Sequence, residues 1–385
     1  MINFCYNYCS FKNYLKLKYY IISGEASGDL HGSKLIEALK KRDKKAKIRC
    51  WGGDLMKKAG GELVKHFHDL AFMGFWEVLT NLGKVIRNIR FCKKDILEFK
   101  PDIILYIDYP GFNLRISKWA KKNGFKNHFY ISPQVWAWKE NRVNQMKKDL
   151  DALYVILPFE KEFFEKKHQF PVEFVGHPLL DSILFKKISK NFIIENRLSK
   201  TKPIIALLPG SRRQEIKKML PVFLSVAERF PKYEFIIAGA PGVDSRYYTS
   251  FIRNVNIKVV HNKTHDLLMI SKAALVSSGT ATLEAALFKV PQVVCYKSSY
   301  LSYQIARRLI KLEFISLVNL VLKKEVVKEL IQNSFNINEV CKQLDYILSD
   351  NGQKRMKIDY ESLRSVLGNG GASEKTASLI YDAIK

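Results

Sequence analysis

The chain has 385 residues, 47% hydrophobic and 26% charged, which supplies apolar material for a sizeable core and excludes disorder as the main state. Lys plus Arg number 64 against 37 Asp plus Glu, a formal charge of +27 that calls for an anionic partner or surface without choosing among nucleic acid, phosphorylated substrate and acidic lipid. No apolar run approaches the roughly 20 residues of a membrane-spanning helix. Six cysteines, scattered at 5, 9, 50, 92, 295 and 341, neither build a disulfide scaffold nor pair as zinc ligands, which points to a reduced, cytoplasmic protein.

At roughly 150 residues per domain, the length suggests two domains. Residues 1–17 are aromatic and irregular and lack the apolar stretch and cleavage site of a signal peptide, so they are expected to be an extension of no assigned role. From Lys18 onward short β-rich runs alternate with helical stretches. Strands are predicted at Tyr19–Ser23, Lys47–Trp51, Ile103–Ile107, His128–Ile131, Ala152–Leu157 and Val172–Val175, with helices such as Ser33–Arg42 and Phe112–Lys122 between them. The polar, basic stretch Leu179–Lys202 reads as a domain boundary. The rhythm then restarts, with strands at Pro203–Leu208, Glu234–Ala238, Ile257–Val260, Ala274–Ser277 and Gln292–Tyr296. Helices are predicted at Arg212–Phe230, Thr264–Ser271 and Ala281–Phe288, and from Lys323 onward only helices are expected. Such alternation predicts an α/β protein of two Rossmann-like, doubly wound domains facing a cleft, over 18–180 and 181–350, with C-terminal helices over 351–385. In such sheets ligands bind beyond the carboxyl ends of the strands, so the loops there are where chemistry is sought.

The first such loop, Ser23–Gly32, carries Gly24, Glu25, Ser27 and Asp29, with His31 close behind. It follows a strand and opens a helix, so its amides are placed to meet an anion, although it has neither a P-loop ending nor GxGxxG. A glycine-rich turn with an Asp cap fits equally. In Ile107–Asn113, Asp108 ends a strand beside Pro110 and Gly111, a position suited to a general base and also to a helix cap. Ser132–Lys139 concentrates Trp136 and Trp138, which suit sugar stacking, an apolar channel or core packing.

In the second half, Leu208–Arg213 offers Gly210, Ser211 as a helix cap, and Arg212 or Arg213 as a fork for phosphate. Ser277–Glu284 contains Ser278, Gly279 and Thr280, whose small side chains let the backbone approach a diphosphate at a helix N-terminus. Glu284, one turn in, can accept from two ribose hydroxyls, or simply sit at a favourable dipole. Met73–Ile89 reads as an amphipathic helix in which Phe75, Trp76, Val78, Leu79, Leu82, Val85 and Ile86 adjoin Lys84, Arg87 and Arg90. That pattern suits an anionic membrane surface, and a helix buried on one side would share it.

Taken in order, these loops resemble the lipid-A-disaccharide synthase family of Gram-negative glycosyltransferases. The matching residues include Gly24-Glu25-Ala26-Ser27-Gly28-Asp29, Met73-Gly74, Lys100-Pro101-Asp102, Ile107-Asp108, Phe112-Asn113, Ser132-Pro133 and Val135-Trp136-Ala137-Trp138. They continue through Leu157-Pro158-Phe159-Glu160-Lys161, Gly176-His177, Leu208-Pro209-Gly210-Ser211-Arg212, Ser278-Gly279-Thr280-Ala281, Leu283-Glu284 and Asn319-Leu320. The resemblance implies a GT-B fold and transfer from UDP-2,3-diacylglucosamine to 2,3-diacylglucosamine 1-phosphate (lipid X), with release of UDP and no metal or other cofactor. It implies catalysis by Asp108, with Glu25 and Asp29 as runners-up and His31 weaker. The donor would meet Gly210, Ser211, Arg212, Ser278, Gly279, Thr280, Glu284 and Asn319; the acceptor and its acyl chains would meet Gly24, Ser27, Trp136, Trp138 and His177. A peripheral place on the cytoplasmic face of the inner membrane and a homodimer fit the same picture. The alternatives are another UDP-sugar GT-B enzyme, such as a UDP-N-acetylglucosamine 2-epimerase or the peptidoglycan glycosyltransferase, and a basic nucleic-acid-binding protein. The last requires stacking aromatics interleaved with cations on one face, whereas here the motifs sit in strand-end loops.

Overall fold

The computed structural model describes residues 16–70, 82–183, 186–189, 191–252, 257–299, 303–304 and 312–385. One sheet contains β1 (Lys18–Ser23), β2 (Lys47–Gly52), β3 (Glu62–His66), β4 (Ile103–Ile107), β5 (Asn127–Tyr130), β6 (Ala152–Val155) and β7 (Glu173–Phe174). The other contains β8 (Ile204–Leu208), β9 (Glu234–Gly239), β10 (Lys258–His261), β11 (Ser271–Ser277), β12 (Gln292–Tyr296) and β13 (Lys328–Ile331). Helices α1 (Ala26–Arg42), α2 (Asp54–Lys58), α3 (Leu82–Phe99), α4 (Pro110–Lys122), α5 (Arg142–Asp149) and α6 (Pro158–Glu162) accompany the first sheet. Helices α7 (Leu179–Ile183) and α8 (Phe192–Glu195) lie between the sheets in sequence. The second sheet is accompanied by α9 (Arg213–Glu228), α10 (Ser245–Ile252), α11 (Thr264–Ile270), α12 (Thr280–Leu287), α13 (Leu317–Leu322) and α14 (Ile337–Leu348). The chain ends with α15 (Asp350–Leu367) and α16 (Ala372–Ile384).

Strand orders are β3-β2-β1-β4-β5-β6-β7 and β10-β9-β8-β11-β12-β13, and the pairings are parallel. Winding reverses between β1 and β4 and again between β8 and β11. Each sheet therefore has a switch point, where neighbouring loops diverge and leave a crevice at the strands' carboxyl ends.

The near-continuous apolar strands explain the parallel sheets, because both faces are covered. On β1, Tyr19 and Ile21 pack with Leu35, Ile36 and Leu39 of α1, while Tyr20 and Ile22 face the opposite side with Ile96, Phe112 and Val143. On β8, Ile205 and Leu207 meet Met219, Leu220 and Phe223 of α9, while Ile204, Ala206 and Leu208 meet Leu267 and Leu268 of α11.

Three features depart from expectation. β13 lies where only helices were expected; it is a four-residue edge strand, too short to show a period of two against its Lys-Glu start. β3, another edge strand, had no counterpart in the sequence reading. The polar stretch from Leu179 begins with Leu179 and Leu180 buried in the second lobe's core, so the connection is a packed wedge at its start. The last helix crosses back. Ala377 and Ile380 of α16 bury themselves against the α1 side of the first lobe, and Lys41 pairs with Glu374 at 2.8 Å.

Candidate functional site

The β1–α1 loop with Gly24, Glu25 and Ser27 and the β4–α4 turn with Asp108 flank the first switch point. Asp108 and Tyr109 are both left-handed, with φ of 46° and 51°, a conformation non-glycine residues keep only where their surroundings enforce it. Asn113 does so: fully buried on α4, its Nδ2 donates to the Asp108 carbonyl at 2.7 Å and to that of Ile22, on β1, at 3.3 Å. The Tyr109 ring then lies over Gly24, where any Cβ would collide with it. Tyr109 occupies the N-cap of α4 with no side-chain cap, so the Asp108 carboxylate is not used as a helix cap. Burial raises that carboxyl from its ordinary 3.8 to about 6, the neighbouring Glu25 pushes the same way, and the Tyr109 amide opposes them.

Asp29 proves to have other work. Its buried carboxylate accepts from the amides of Gly53 at 2.8 Å, Met56 at 3.0 Å and Leu55 at 3.1 Å, anchoring the start of α2. These three bonds give it a structural role that its motif did not signal.

Trp136 and Trp138 separate in role. The Trp136 indole donates to Glu160 at 3.0 Å and meets Phe159 edge-on with ring centres 4.9 Å apart, so it is a packed strut. Glu160, absent from the predicted site, also accepts from the amides of Leu157 at 2.9 Å and Ile156 at 3.1 Å. Its signal was the Leu-Pro-x-Glu pattern, in which a carboxylate reaches back to a helix start. Burial still raises it to about 7, and Asp108 is among the charges it feels. Trp138, by contrast, is 47% exposed.

At the second switch point, Gly210, Ser211 and Arg212 follow β8, and Ser278, Gly279 and Thr280 follow β11. Ser211 is not the helix cap. Glu215 turns back from α9 and accepts from the amides of Ser211 at 2.9 Å and Arg212 at 3.3 Å. The loop's free donors are therefore side chains, chiefly the Arg212 guanidinium, 59% exposed and 3.9 Å from Glu215. Gly279 adopts φ 156° and ψ −163°, a region side chains avoid, and α12 starts without a side-chain cap. The Thr282 amide bonds back to the Gly279 carbonyl at 3.1 Å, and the start of the helix offers its remaining amides in the manner of an anion-binding N-terminus. Glu284 is half-buried, 3.7 Å from His265 Nε2.

Asn319 also departs from expectation. It is fully buried; its Nδ2 donates to the Val327 carbonyl and Glu329, both at 2.8 Å, and its Oδ1 accepts from Val326 at 2.8 Å and Val327 at 3.0 Å. An amide satisfied four times over has nothing to offer a ligand. Its effect on the site is indirect. Glu329 also holds the amides of Ile315 and Ser316, and the Ile315 carbonyl accepts from Ser278 Oγ at 3.0 Å.

The two lobes meet over His31 and His177. His31, on α1, has Asp181 and Glu284 among its charged neighbours, yet burial holds it down to about 4. His177 is buried in the connection, its Nδ1 accepting from the Leu179 amide at 3.2 Å, and burial with the adjacent His31 lowers it to about 3. Glu284 of the second lobe is thus among the charges that bear on His31, on α1 of the first.

Of the apolar stripe, Phe75, Trp76, Val78 and Leu79 lie outside the described residues, as does the Leu82 side chain. On α3, Ile86 and Phe91 are exposed, Val85 is half-buried, and Asn88, Cys92, Asp95 and Ile96 face the core. Among the described residues no helix is long and apolar enough to cross a membrane.

Two parallel α/β lobes with facing switch points define a protein of the GT-B class. Solved structures agree: S. aureus MnaA with UDP superposes with a TM-score of 0.70 over 96% of this chain and 98% of that one, at 14% identity. Neisseria meningitidis UDP-GlcNAc 2-epimerase bound to UDP-GlcNAc gives 0.68 over 95% and 100%, also at 14% identity, a likeness of fold. The family model of lipid-A-disaccharide synthetase matches residues 19–382, and the chain belongs to that family. Lipid-A-disaccharide synthase of Trichlorobacter lovleyi is 36% identical over 374 residues, 95% of this chain and 97% of that protein. Those of Syntrophus aciditrophicus and Coxiella burnetii are 37% and 36% identical, each over about 95% of this chain.

Proposed function

We propose that the chain is an inverting glycosyltransferase that joins UDP-2,3-diacylglucosamine to 2,3-diacylglucosamine 1-phosphate. The observation that carries this reading is family membership over residues 19–382, which spans both lobes and both switch points. On this reading Asp108, its carboxyl raised to about 6, takes the proton of the acceptor's 6-hydroxyl as that oxygen bonds to the donor's anomeric carbon. The bond from that carbon to the diphosphate breaks, and its electron pair leaves with UDP. A single displacement turns the α-linked donor into a β-linked product. Negative charge growing on the leaving diphosphate is met by the uncapped amides of Gly279 and Thr280, the dipole of α12 and the Arg212 guanidinium. Glu284 receives the ribose hydroxyls. Gly24 and Ser27 border the acceptor, and His177 closes the crevice floor.

Both substrates are lipids, which gives the +27 charge and the exposed Ile86 and Phe91 on a basic helix a peripheral membrane role. The test is incubation of the purified chain with both acylated sugars. UDP and a disaccharide phosphate are expected together, and absence of both refutes the reading. UDP-N-acetylglucosamine alone should be returned unchanged; its epimerisation would favour the epimerase alternative.

A further inference from the structure

A second group of cations stands beside the first switch point, and the displacement above does not use it. Trp138 follows β5, and Lys139 Nζ and the Arg142 guanidinium lie 4.3 Å and 5.7 Å from its ring centre. Arg142 opens α5 and is only half exposed. Arg115 projects from α4 and acts on two groups: it lowers Arg142, after burial, and it bears on Tyr109, the residue next to Asp108. Among the described residues no carboxylate pairs with Arg115, Lys139 or Arg142. Glu140, the acid between them in sequence, is turned away to Lys167 at 2.7 Å and His168 at 2.9 Å.

We infer that Arg115, Lys139 and Arg142, braced by Trp138, form the subsite for the phosphate monoester carried by the acceptor sugar; this rests on the glycosyl-transfer reading above. Like charges drawn together without a counter-ion repel, and cation–π contact with one indole offsets only part of that cost. A dianionic phosphate supplies the missing charge, and two guanidinium forks suit its oxygens bidentately. Placement fits as well. Arg115 stands five residues beyond Pro110, about 7.5 Å along the axis of the helix that Asp108 precedes. Asp108 and Arg115 thus belong to one turn and the α4 helix it opens, and Lys139 and Arg142 join them from the segment that follows β5. A surface that merely gathers anionic lipid spreads its cations among apolar anchors, whereas here Arg142 is half withdrawn from water against the Trp138 ring.

The test measures kcat/KM of the full-length enzyme, in detergent micelles, for 2,3-diacylglucosamine 1-phosphate and for the same sugar lacking the phosphate. The wild type should prefer the phosphorylated acceptor. Arg115→Gln and Arg142→Gln should each lower kcat/KM for it by about 10–100-fold through KM, the value expected of one lost charge-assisted pair. The donor KM should stay put, and the preference between acceptors should collapse toward one. Arg142→Lys, which keeps the charge and loses the fork, should fall between. Melting curves of the variants exclude misfolding. Equal losses on both acceptors, or a preserved preference, overturn the subsite. So does a preserved preference accompanied by weaker co-sedimentation with phosphatidylglycerol vesicles, which would assign the cations to the membrane instead. If the wild type makes no disaccharide from either acceptor, the transferase reading itself falls.

Discussion

Replacing Asp108 with Asn separates chemistry from stability in one experiment. The carboxyl stands at about 6 against an ordinary 3.8, roughly 2 units, which at 1.36 kcal/mol per unit is about 3 kcal/mol. Its folded pKa is raised, so between pH 3.8 and about 6 the native state holds more protons than the unfolded one, and stability falls as pH rises through that window. Above it the wild type bears the full cost of an ionised, desolvated carboxylate. Asp108→Asn removes the cost, so at pH 8 the variant should be more stable by up to about 3 kcal/mol, an advantage that fades near pH 4. Turnover should fall by about 10²–10⁴-fold, the usual contribution of a positioned base. Thermal melts at pH 4 and pH 8 and a UDP-release assay read both arms. Since Glu25 helps raise Asp108, Glu25→Gln should also move the rising limb of the kcat/KM profile below pH 6. Near-normal turnover of Asp108→Asn, or a stability difference equal at the two pH values, refutes the assignment.

Glu284→Ala should weaken UDP binding by about 10–100-fold, read by calorimetry, because hydrogen bonds to a charged acceptor are lost; unchanged affinity contradicts the donor site. Asn319→Ala strips a buried amide that makes four hydrogen bonds and should cost about 2–4 kcal/mol in a denaturant melt. Asp29→Ala should lower the melting temperature by releasing α2 while kcat at a permissive temperature stays close to normal; a kcat collapse would return Asp29 to the chemistry. His31 has its folded pKa lowered to about 4, so the unfolded state binds more protons below pH 6.5 and stability is lost as pH falls. His31→Asn should therefore flatten the acid limb of the stability profile, and an unaltered limb removes His31 from it.

The β-α rhythm was legible because parallel strands buried on both faces become apolar runs, as in Ile103–Ile107 and Ile204–Leu208. Edge strands have no such signature: β3 carries Lys and Glu on its open side, and β13 is equally mixed. Loop motifs located both switch points, since each small-residue loop directly follows a strand adjoining the reversal. Motif membership could not separate groups that touch ligand from groups that hold the loop. Asp29 and Asn319 differ from Asp108 and Glu284, the groups proposed to face ligand, in where their lone pairs and N–H groups end, and those partners lie 24 residues away for Asp29 to Gly53 and 10 for Asn319 to Glu329. The Ser211 cap failed for a related reason: Glu215, at the third helical position, competes for the same amides with a full charge.

On the proposed reading the two switch points divide the labour, since each parallel sheet turns its strand carboxyl ends, and with them its helix N-termini, to one side. The second lobe would use that polarity directly, with uncapped amides and Arg212 proposed to stand where a diphosphate gains charge. The first lobe needs the opposite, a carboxylate poor enough in solvation to want a proton, and an unopposed helix dipole behind α4 would spoil it by favouring the ionised form. Proline at the first position of α4 removes one amide, the left-handed Asp108–Tyr109 turn withholds the carboxylate from the cap, and Glu25 adds like charge. Between the lobes, burial keeps His31 and His177 neutral. A charged His31 would attract Glu284, so on the proposed reading the same desolvation that raises Asp108 also leaves Glu284 for the ribose.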